Sequence, residues 1–330
     1  MCYAALFLSA ESLPSTYGGQ VLPRLRSLVS QLEIVAPGED WRQRAAALRD
    51  AEVIFSGWGA PRMDEEFLTA LPKLKAVFYA GGSVRYFTTP AFWKRGVRLT
   101  TAQAVNAIPV AEYAQAVVLL GLKRFWHYAQ VTRTTRSFPV ERPMPAAYGS
   151  VVGLVSYGMI ARLLRKKLLA FDVEVLVYDP FLTTEEAARE NVQLVDLDTL
   201  FASADVVSLH VPALPETAGL IGERQISQMK PGAVFINTAR GEVVNEPALI
   251  AVLQRRPDLQ AVLDVSWPEP PEADSLLYSL PNVLLTPHIA GSVGAECQRM
   301  ALAMMDEFER YRAGQPLLWE ITSDKAARIA

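Results

Sequence analysis

The sequence predicts an α/β protein built from two doubly wound parallel sheets. Two patterns carry that prediction. Short apolar runs rich in Val, Ile and Leu alternate with helical patterns along the whole chain. The runs are continuous rather than alternating in polarity, as in parallel strands covered on both faces. The alternation is used twice, and 330 residues suit two domains of ordinary size.

In the first half, strands are expected at 3–8, 53–55, 76–79 and 97–100. Asp64 caps a helix over 64–71. Thr89-Pro90 opens another, with Thr as N-cap and Pro at the first helical position. In the second half, strands are expected at 151–155, 173–178, 206–209, 233–237, 261–265 and 283–285. Residues 109–128 read as a long connecting helix, and the polar, Pro-containing stretch 131–149 as an arm or linker. A final helix over 293–311 has no strand after it. Its return to the first unit would make that domain discontinuous. The expected domains are therefore 1–108 with 298–330, and 109–297. Residues beyond Pro316 read as a loosely held tail.

Composition narrows the function. The formal net charge is −3, and Lys and Arg are spread along the chain, which argues against a nucleic-acid partner. The densest basic group, Arg162 with Arg165-Lys166-Lys167, lies in a helical pattern and reads as a solvated helix face. Two cysteines, Cys2 and Cys297, are too few for a disulfide framework, and three histidines are too scattered for a zinc site, so no metal is expected. The apolar N-terminus lacks a basic flank and reads as a buried strand, not a signal peptide. No apolar run is read as reaching the ~18 residues of a membrane span. The expectation is a soluble protein of a reducing cytoplasm.

Residues 151–161 form a strand, a tight turn and a helix start, the junction where a dinucleotide fingerprint G-x-G-x-x-G belongs. Here it reads Ser156-x-Gly158-x-x-Ala161. Gly158 holds the position where backbone approaches a pyrophosphate, and Ala161 is an allowed packing variant. Ser156 replaces the turn glycine, at a cost of about 1 kcal/mol if the backbone is left-handed. Asp179 ends the next strand, where ribose hydroxyls are recognised. No arginine follows, only Pro180-Phe181. An unneutralised carboxylate there repels a 2′-phosphate, so NAD(H) is expected over NADP(H).

Three further residues sit past apolar runs or beside a Pro-rich turn: Arg240, Glu269 and His288. An arginine fork can hold a substrate carboxylate and polarise a keto oxygen. A histidine paired with a glutamate can deliver a proton near neutral pH. Together they suit reduction of a 2-keto acid or oxidation of a 2-hydroxy acid.

The order of motifs resembles the D-isomer-specific 2-hydroxyacid dehydrogenases, the family of phosphoglycerate dehydrogenase and glyoxylate/hydroxypyruvate reductase. The motifs are Leu209-His210-Val211-Pro212 with Pro215-Glu216-Thr217, then Met229-Lys230-Pro231-Gly232-Ala233. INTARG through Arg240-Gly241 follows, then LDV around Asp264, PEP around Glu269 and LPNVLLTPHIAG through Gly291. The resemblance implies a flavodoxin-like catalytic domain, an NAD-binding Rossmann domain and a cleft between them that closes on substrate. It implies Arg240, Glu269 and His288 as the catalytic arginine, acid and histidine, with Arg240 and His288 also meeting substrate and cofactor. It implies Ser156, Tyr157, Gly158, Met159 and Ile160 at the pyrophosphate turn and Asp179 at the ribose. His210, Val211, Pro212, Thr217, Thr238, Ala239 and Ala290 are implied to line the cofactor, and Asp264 to lie near the nicotinamide carboxamide. The loop Tyr79-Ala80-Gly81-Gly82-Ser83 resembles the Gly-rich loop that holds a substrate carboxylate, giving Ala80, Gly81 and Gly82 as substrate contacts. Asn106 matches the entry to the interdomain helix, and Glu112 reads as structural.

The substrate loop lacks the family's usual acidic residue, which leaves the substrate open. Glyoxylate and hydroxypyruvate are the first candidates. Trp58, Tyr79, Arg85, Tyr86 and Trp267 are expected to line a pocket for a larger side chain. Members are usually homodimers, with 131–149 placed as an intersubunit arm. The alternatives are a phosphite dehydrogenase-like enzyme and a non-enzymatic NAD-sensing scaffold of the corepressor type. Formate enzymes pair their histidine with an amide, so Glu269 argues against that reading.

Overall fold

A computed structural model describes residues 2–138 and 146–327. Part of the stretch read as an arm, 139–145, lies outside the described residues. The chain divides into two compact units, Met1–Asn106 with Ser292–Ala330, and Ala107–Gly291. The boundaries expected at 108/109 and 297/298 are corrected accordingly. The second moves because Cys297 is buried in the core of the first unit.

The first unit holds a six-stranded sheet in the order β13-β5-β4-β3-β1-β2. Its strands are β1 (Tyr3–Phe7), β2 (Gln31–Val35), β3 (Val53–Ser56), β4 (Ala76–Tyr79), β5 (Arg98–Thr101) and β13 (Glu320–Ile321). All pair in parallel except β13, which runs antiparallel to β5. The Glu65–Ala70 helix is capped by Asp64, and the Pro90–Arg95 helix by Thr89, as their sequences predict. The returning helix, Glu296–Arg312, packs Met300, Met304 and Phe308 into the core beneath the sheet.

Two readings of this unit are corrected. Strand β2 escaped sequence reading because its pattern is mixed and it sits at an edge. The tail is not loose: Glu320 pairs with Thr100, and Arg98 grips its carboxylate at 2.6 and 2.9 Å. Buried Glu307 accepts the amides of Leu318 and Trp319, tying the tail to the returning helix.

The second unit holds seven parallel strands in the order β12-β11-β10-β9-β6-β7-β8. These are β6 (Ser150–Val155), β7 (Val173–Tyr178), β8 (Gln193–Leu194), β9 (Val206–Leu209), β10 (Val234–Asn237), β11 (Gln260–Leu263) and β12 (Val283–Leu285). Parallel strands covered on both faces need apolar residues on both, and the two apolar clusters of this unit supply them. Gly153, in mid-β6, permits close packing, since a Cβ there would lie 2.5 Å from Leu200.

The connecting helix begins earlier than expected. It spans Gln103–Leu122, runs through Pro109, and stops before Arg124, which is left-handed at φ 49°. A separate helix, Phe125–Thr135, follows and takes in the start of the stretch read as an arm. By length and composition Gln103–Leu122 could cross a membrane, with mean hydropathy 1.5 and 56% of its window buried. The reading of no such run is corrected: Asn106 and Glu112 interrupt the run without lowering its average enough. Ala111, Ala114, Val117, Val118 and Leu122 of this helix join the core of the second unit. The basic helix Met159–Leu168 is also not wholly solvated. Arg165 is buried and donates to the Asn191 carbonyl, and Arg162 pairs with Glu190 at 2.6 Å.

Candidate active site

Parallel pairing puts the ends of all the second unit's strands on one edge, so Ser156, Asp179, His210, Thr238, Asp264 and Thr286 are brought to it. Backbone bonds extend the ladder past the strands. The amides of His210, Asp264 and Thr286 donate to the carbonyls of Val155, Asn237 and Leu263, each at 2.9 Å.

Arg240 follows β10 in a loop set by Asn237. The buried Asn237 amide accepts from the Ala239 N–H and donates to the Arg240 carbonyl, both at 3.0 Å. The guanidinium spends one donor on the Ala239 carbonyl at 2.6 Å. Among the described residues its remaining N–H groups have no partner. Burial draws its pKa below the usual arginine value, and the charges of Glu269 and Glu242 oppose that shift. Gly241 is required for the next contact. A Cβ there would lie 2.1 Å from the Ser266 carbonyl, so only glycine lets this loop touch the one that carries Glu269. Glu246 accepts the Trp267 amide at 3.1 Å, and Ser266 donates its hydroxyl to the Pro268 carbonyl at 2.8 Å.

His288 Nδ1 lies 2.6 Å from Glu269 Oε1, with both side chains partly exposed. His288 has φ 54°, a left-handed conformation that costs a residue with a Cβ about 1–2 kcal/mol. Asp264 holds it there. Its buried carboxylate accepts from Thr286 Oγ1 at 2.6 Å and from the amides of Ile289 and Ala290 at 2.8 Å each. Its carbonyl accepts the His288 amide at 3.0 Å. Tyr113 OH lies 3.1 Å from the same Thr286 hydroxyl. Asp264, expected near a carboxamide, is thus committed to positioning His288. The Ala290 amide is spent in the same way.

At the fingerprint, Ser156 has φ 71°, the left-handed conformation that its motif position demands. The Asp179 carboxylate accepts from Ser156 Oγ at 3.2 Å and from the amides of Tyr157, Phe181 and Leu182 at 2.7, 2.8 and 3.1 Å. Tyr157 belongs to the same turn. Its amide is taken by Asp179, and its ring is buried beneath Arg162 at 4.8 Å. Thr217 is also engaged locally. Its hydroxyl staples its own loop, donating to the Pro212 carbonyl at 2.6 Å and accepting from the Leu214 amide at 2.9 Å. Met159 is exposed and Ile160 partly buried at the helix start, while Val211 and Ala239 are buried beside the edge.

In the first unit, Ala80 and Gly81 are corrected as carboxylate donors. Their amides donate to the carbonyls of Ser56 and Tyr79, at 2.8 and 2.9 Å. Of the three residues expected to donate, Gly82 alone keeps an amide without a partner among the described residues. Tyr79, expected at a pocket wall, is fully buried against Phe87, with its hydroxyl 3.1 Å from that of Tyr86. Asn106 accepts the Ser292 amide at 2.9 Å, fixing the chain's return to this unit.

Sequence reasoning gave no role to Asn237, Gly241, Glu246 and Thr286, which position these loops. Asn237, Gly241 and Thr286 lay inside the quoted motifs, and Glu246 lay outside them.

A family model for the D-isomer specific 2-hydroxyacid dehydrogenase NAD binding domain matches residues 116–290. The chain is 34% identical over 259 residues to a D-3-phosphoglycerate dehydrogenase of Archaeoglobus fulgidus, covering 78% of this chain and 49% of that protein. It is 35% identical over 245 residues to a glyoxylate reductase of Thermofilum pendens, covering 73% of this chain and 72% of that protein. Its fold matches the NAD-complexed D-isomer specific 2-hydroxyacid dehydrogenase of Lactobacillus delbrueckii ssp. bulgaricus with a TM-score of 0.78, at 21% identity, covering 97% of this chain and 99% of that one. The chain belongs to the D-isomer-specific 2-hydroxyacid dehydrogenase family. It spans about half the length of the phosphoglycerate dehydrogenase relative.

The edge fits a dinucleotide. A Cβ at Gly158 would meet nothing within 4 Å, so the backbone there is open to close approach. Among the described residues no side chain caps the Met159–Leu168 helix, which leaves its first amides open to an anion. Among the described residues, buried Thr238 Oγ1 and His210 Nδ1 have no hydrogen-bond partner and suit a polar ligand.

Proposed function

We propose that the protein is an NADH-dependent reductase of small 2-keto acids, acting reversibly as a D-2-hydroxyacid dehydrogenase. The observation that carries this is the 2.6 Å His288–Glu269 pair on the same sheet edge as the partly unpartnered Arg240. When bound, the nicotinamide gives or takes the hydride at C2 of the substrate. Arg240 would grip the substrate carboxylate with its free N–H groups and polarise the neighbouring oxygen. Glu269 holds the His288 ring through Nδ1, which leaves Nε2 to hold the proton that the substrate oxygen receives. In oxidation the same nitrogen takes that proton back. The Met159–Leu168 helix start would receive the pyrophosphate, with Gly158 allowing close approach.

Preference for NADH over NADPH rests on the negative charge of Asp179, which repels a 2′-phosphate and has no arginine beside it in sequence. Glyoxylate and hydroxypyruvate are the first substrates to try, and a relative named glyoxylate reductase supports that order. We also propose a homodimer. The Phe125–Thr135 helix buries none of its residues, and nearby Phe138 and Tyr148 are exposed. Two free cysteines suit the reducing cytoplasm we propose as its location.

The test follows NADH consumption with glyoxylate, hydroxypyruvate, pyruvate and a branched 2-keto acid, beside His288→Ala. Turnover that falls by about 10²–10⁴ in the variant supports the reductase and ranks its substrates. NADH binding without turnover on any of them would favour a sensing scaffold. Light scattering of the purified protein tests the dimer.

A further inference from the structure

We infer that the Ser156 hydroxyl competes with the cofactor's ribose for Asp179, so that removing it would tighten NADH and sharpen discrimination against NADPH. This rests on the dinucleotide site proposed above. Four donors converge on the carboxylate. Oδ1 accepts from the amides of Phe181 and Leu182, and Oδ2 from the Tyr157 amide and Ser156 Oγ. A carboxylate offers about four acceptor sites, so none is left for a ribose hydroxyl.

The four bonds are not equally fixed. Three come from backbone amides that build the two turns, and losing them would unfold those turns. The fourth comes from a rotatable hydroxyl. It is the longest of the four, at 3.2 Å. It belongs to the residue that stands where the fingerprint has glycine. Without it, Oδ2 has one open site beside the dinucleotide turn.

That opening has a chemical preference. At the adenosine 2′ position the ribose of NADH presents a hydroxyl, which donates to a carboxylate. The 2′-phosphate of NADPH is an anion rich in acceptors and gains nothing from a free carboxylate site. Backbone relief is a separate effect. Ser156 sits at φ 71°, so glycine removes both the strain and the hydroxyl, whereas alanine removes the hydroxyl alone.

The experiment measures the dissociation constants of NADH and NADPH for the full chain, Ser156→Gly and Ser156→Ala, by calorimetry at mildly alkaline pH. Thermal melts confirm that each variant folds. Both substitutions should tighten NADH by about tenfold, the order of one hydrogen bond to a charged acceptor, and change NADPH by less than about twofold. Equal tightening of both dinucleotides, or tightening by glycine alone, would assign the effect to the backbone and overturn the inference. Unchanged or weakened NADH in both variants would overturn it while leaving the cofactor site standing. No binding of either dinucleotide by any of the three proteins would overturn the cofactor site as well.

Discussion

Replacing His210 with Gln should flatten the acid side of the protein's stability profile. The ring lies just past β9, with Nε2 3.1 Å from Ser208 Oγ and Nδ1 buried without a partner. Protonating it would place a charge in a buried site, with Nδ1 lacking an acceptor among the described residues. Burial accordingly pulls its pKa from the ordinary 6.5 down to about 4. The folded pKa lies below the unfolded one, so the unfolded chain takes up the proton first. The stability due to the neutral ring is intact above pH 6.5 and is lost as the pH falls towards 4. A shift of this size is worth about 3 kcal/mol in full, of which about 2 kcal/mol should be gone by about pH 4.5. The assay is urea unfolding of ligand-free protein at about pH 7 and about pH 4.5. The parent should lose about 2 kcal/mol more than His210→Gln over that interval. Carboxylates that protonate in the same range are common to both proteins and cancel. Equal losses would refute the argument and mean that the ring is hydrated. A neutral His210 at working pH leaves His288 as the imidazole at this edge available for proton transfer.

Arg240→Lys keeps the charge but loses the planar fork, so kcat/KM for the best keto acid should fall by about 10²–10³; steady-state kinetics that fall less than tenfold would remove the bidentate role. Gly241→Ala places a Cβ 2.1 Å from the Ser266 carbonyl, forcing the loop that carries Glu269 to move. A stability loss of about 1–3 kcal/mol in urea unfolding, with reduced kcat, is expected, and parent-like values in both would show the contact to be yielding. Trp267 is exposed beside Glu269, so Trp267→Ala should alter the ratio of kcat/KM between small and branched keto acids. An unchanged ratio would exclude Trp267 from the substrate pocket.

The periodicity and motif order of this chain determined much by themselves. Continuous apolar runs predicted parallel strands, because burial on both faces leaves no polar side to alternate with. Arg240, Glu269 and His288 were legible because each follows a strand or a proline turn, and strand ends are where a parallel sheet meets its ligands. Elements with a mixed pattern or only two residues escaped notice. Strand β2 is partly exposed, and β13 is two residues held by Arg98 from a distant part of the chain. The tertiary structure alone decided how polar groups are spent. A sequence shows that Asp179, Asp264, Ala80 and Gly81 can accept or donate, but not that neighbouring backbone has already claimed them. Hydrogen bonds are short and directional, so their partners are fixed by ångström-scale placement, which no one-dimensional pattern encodes.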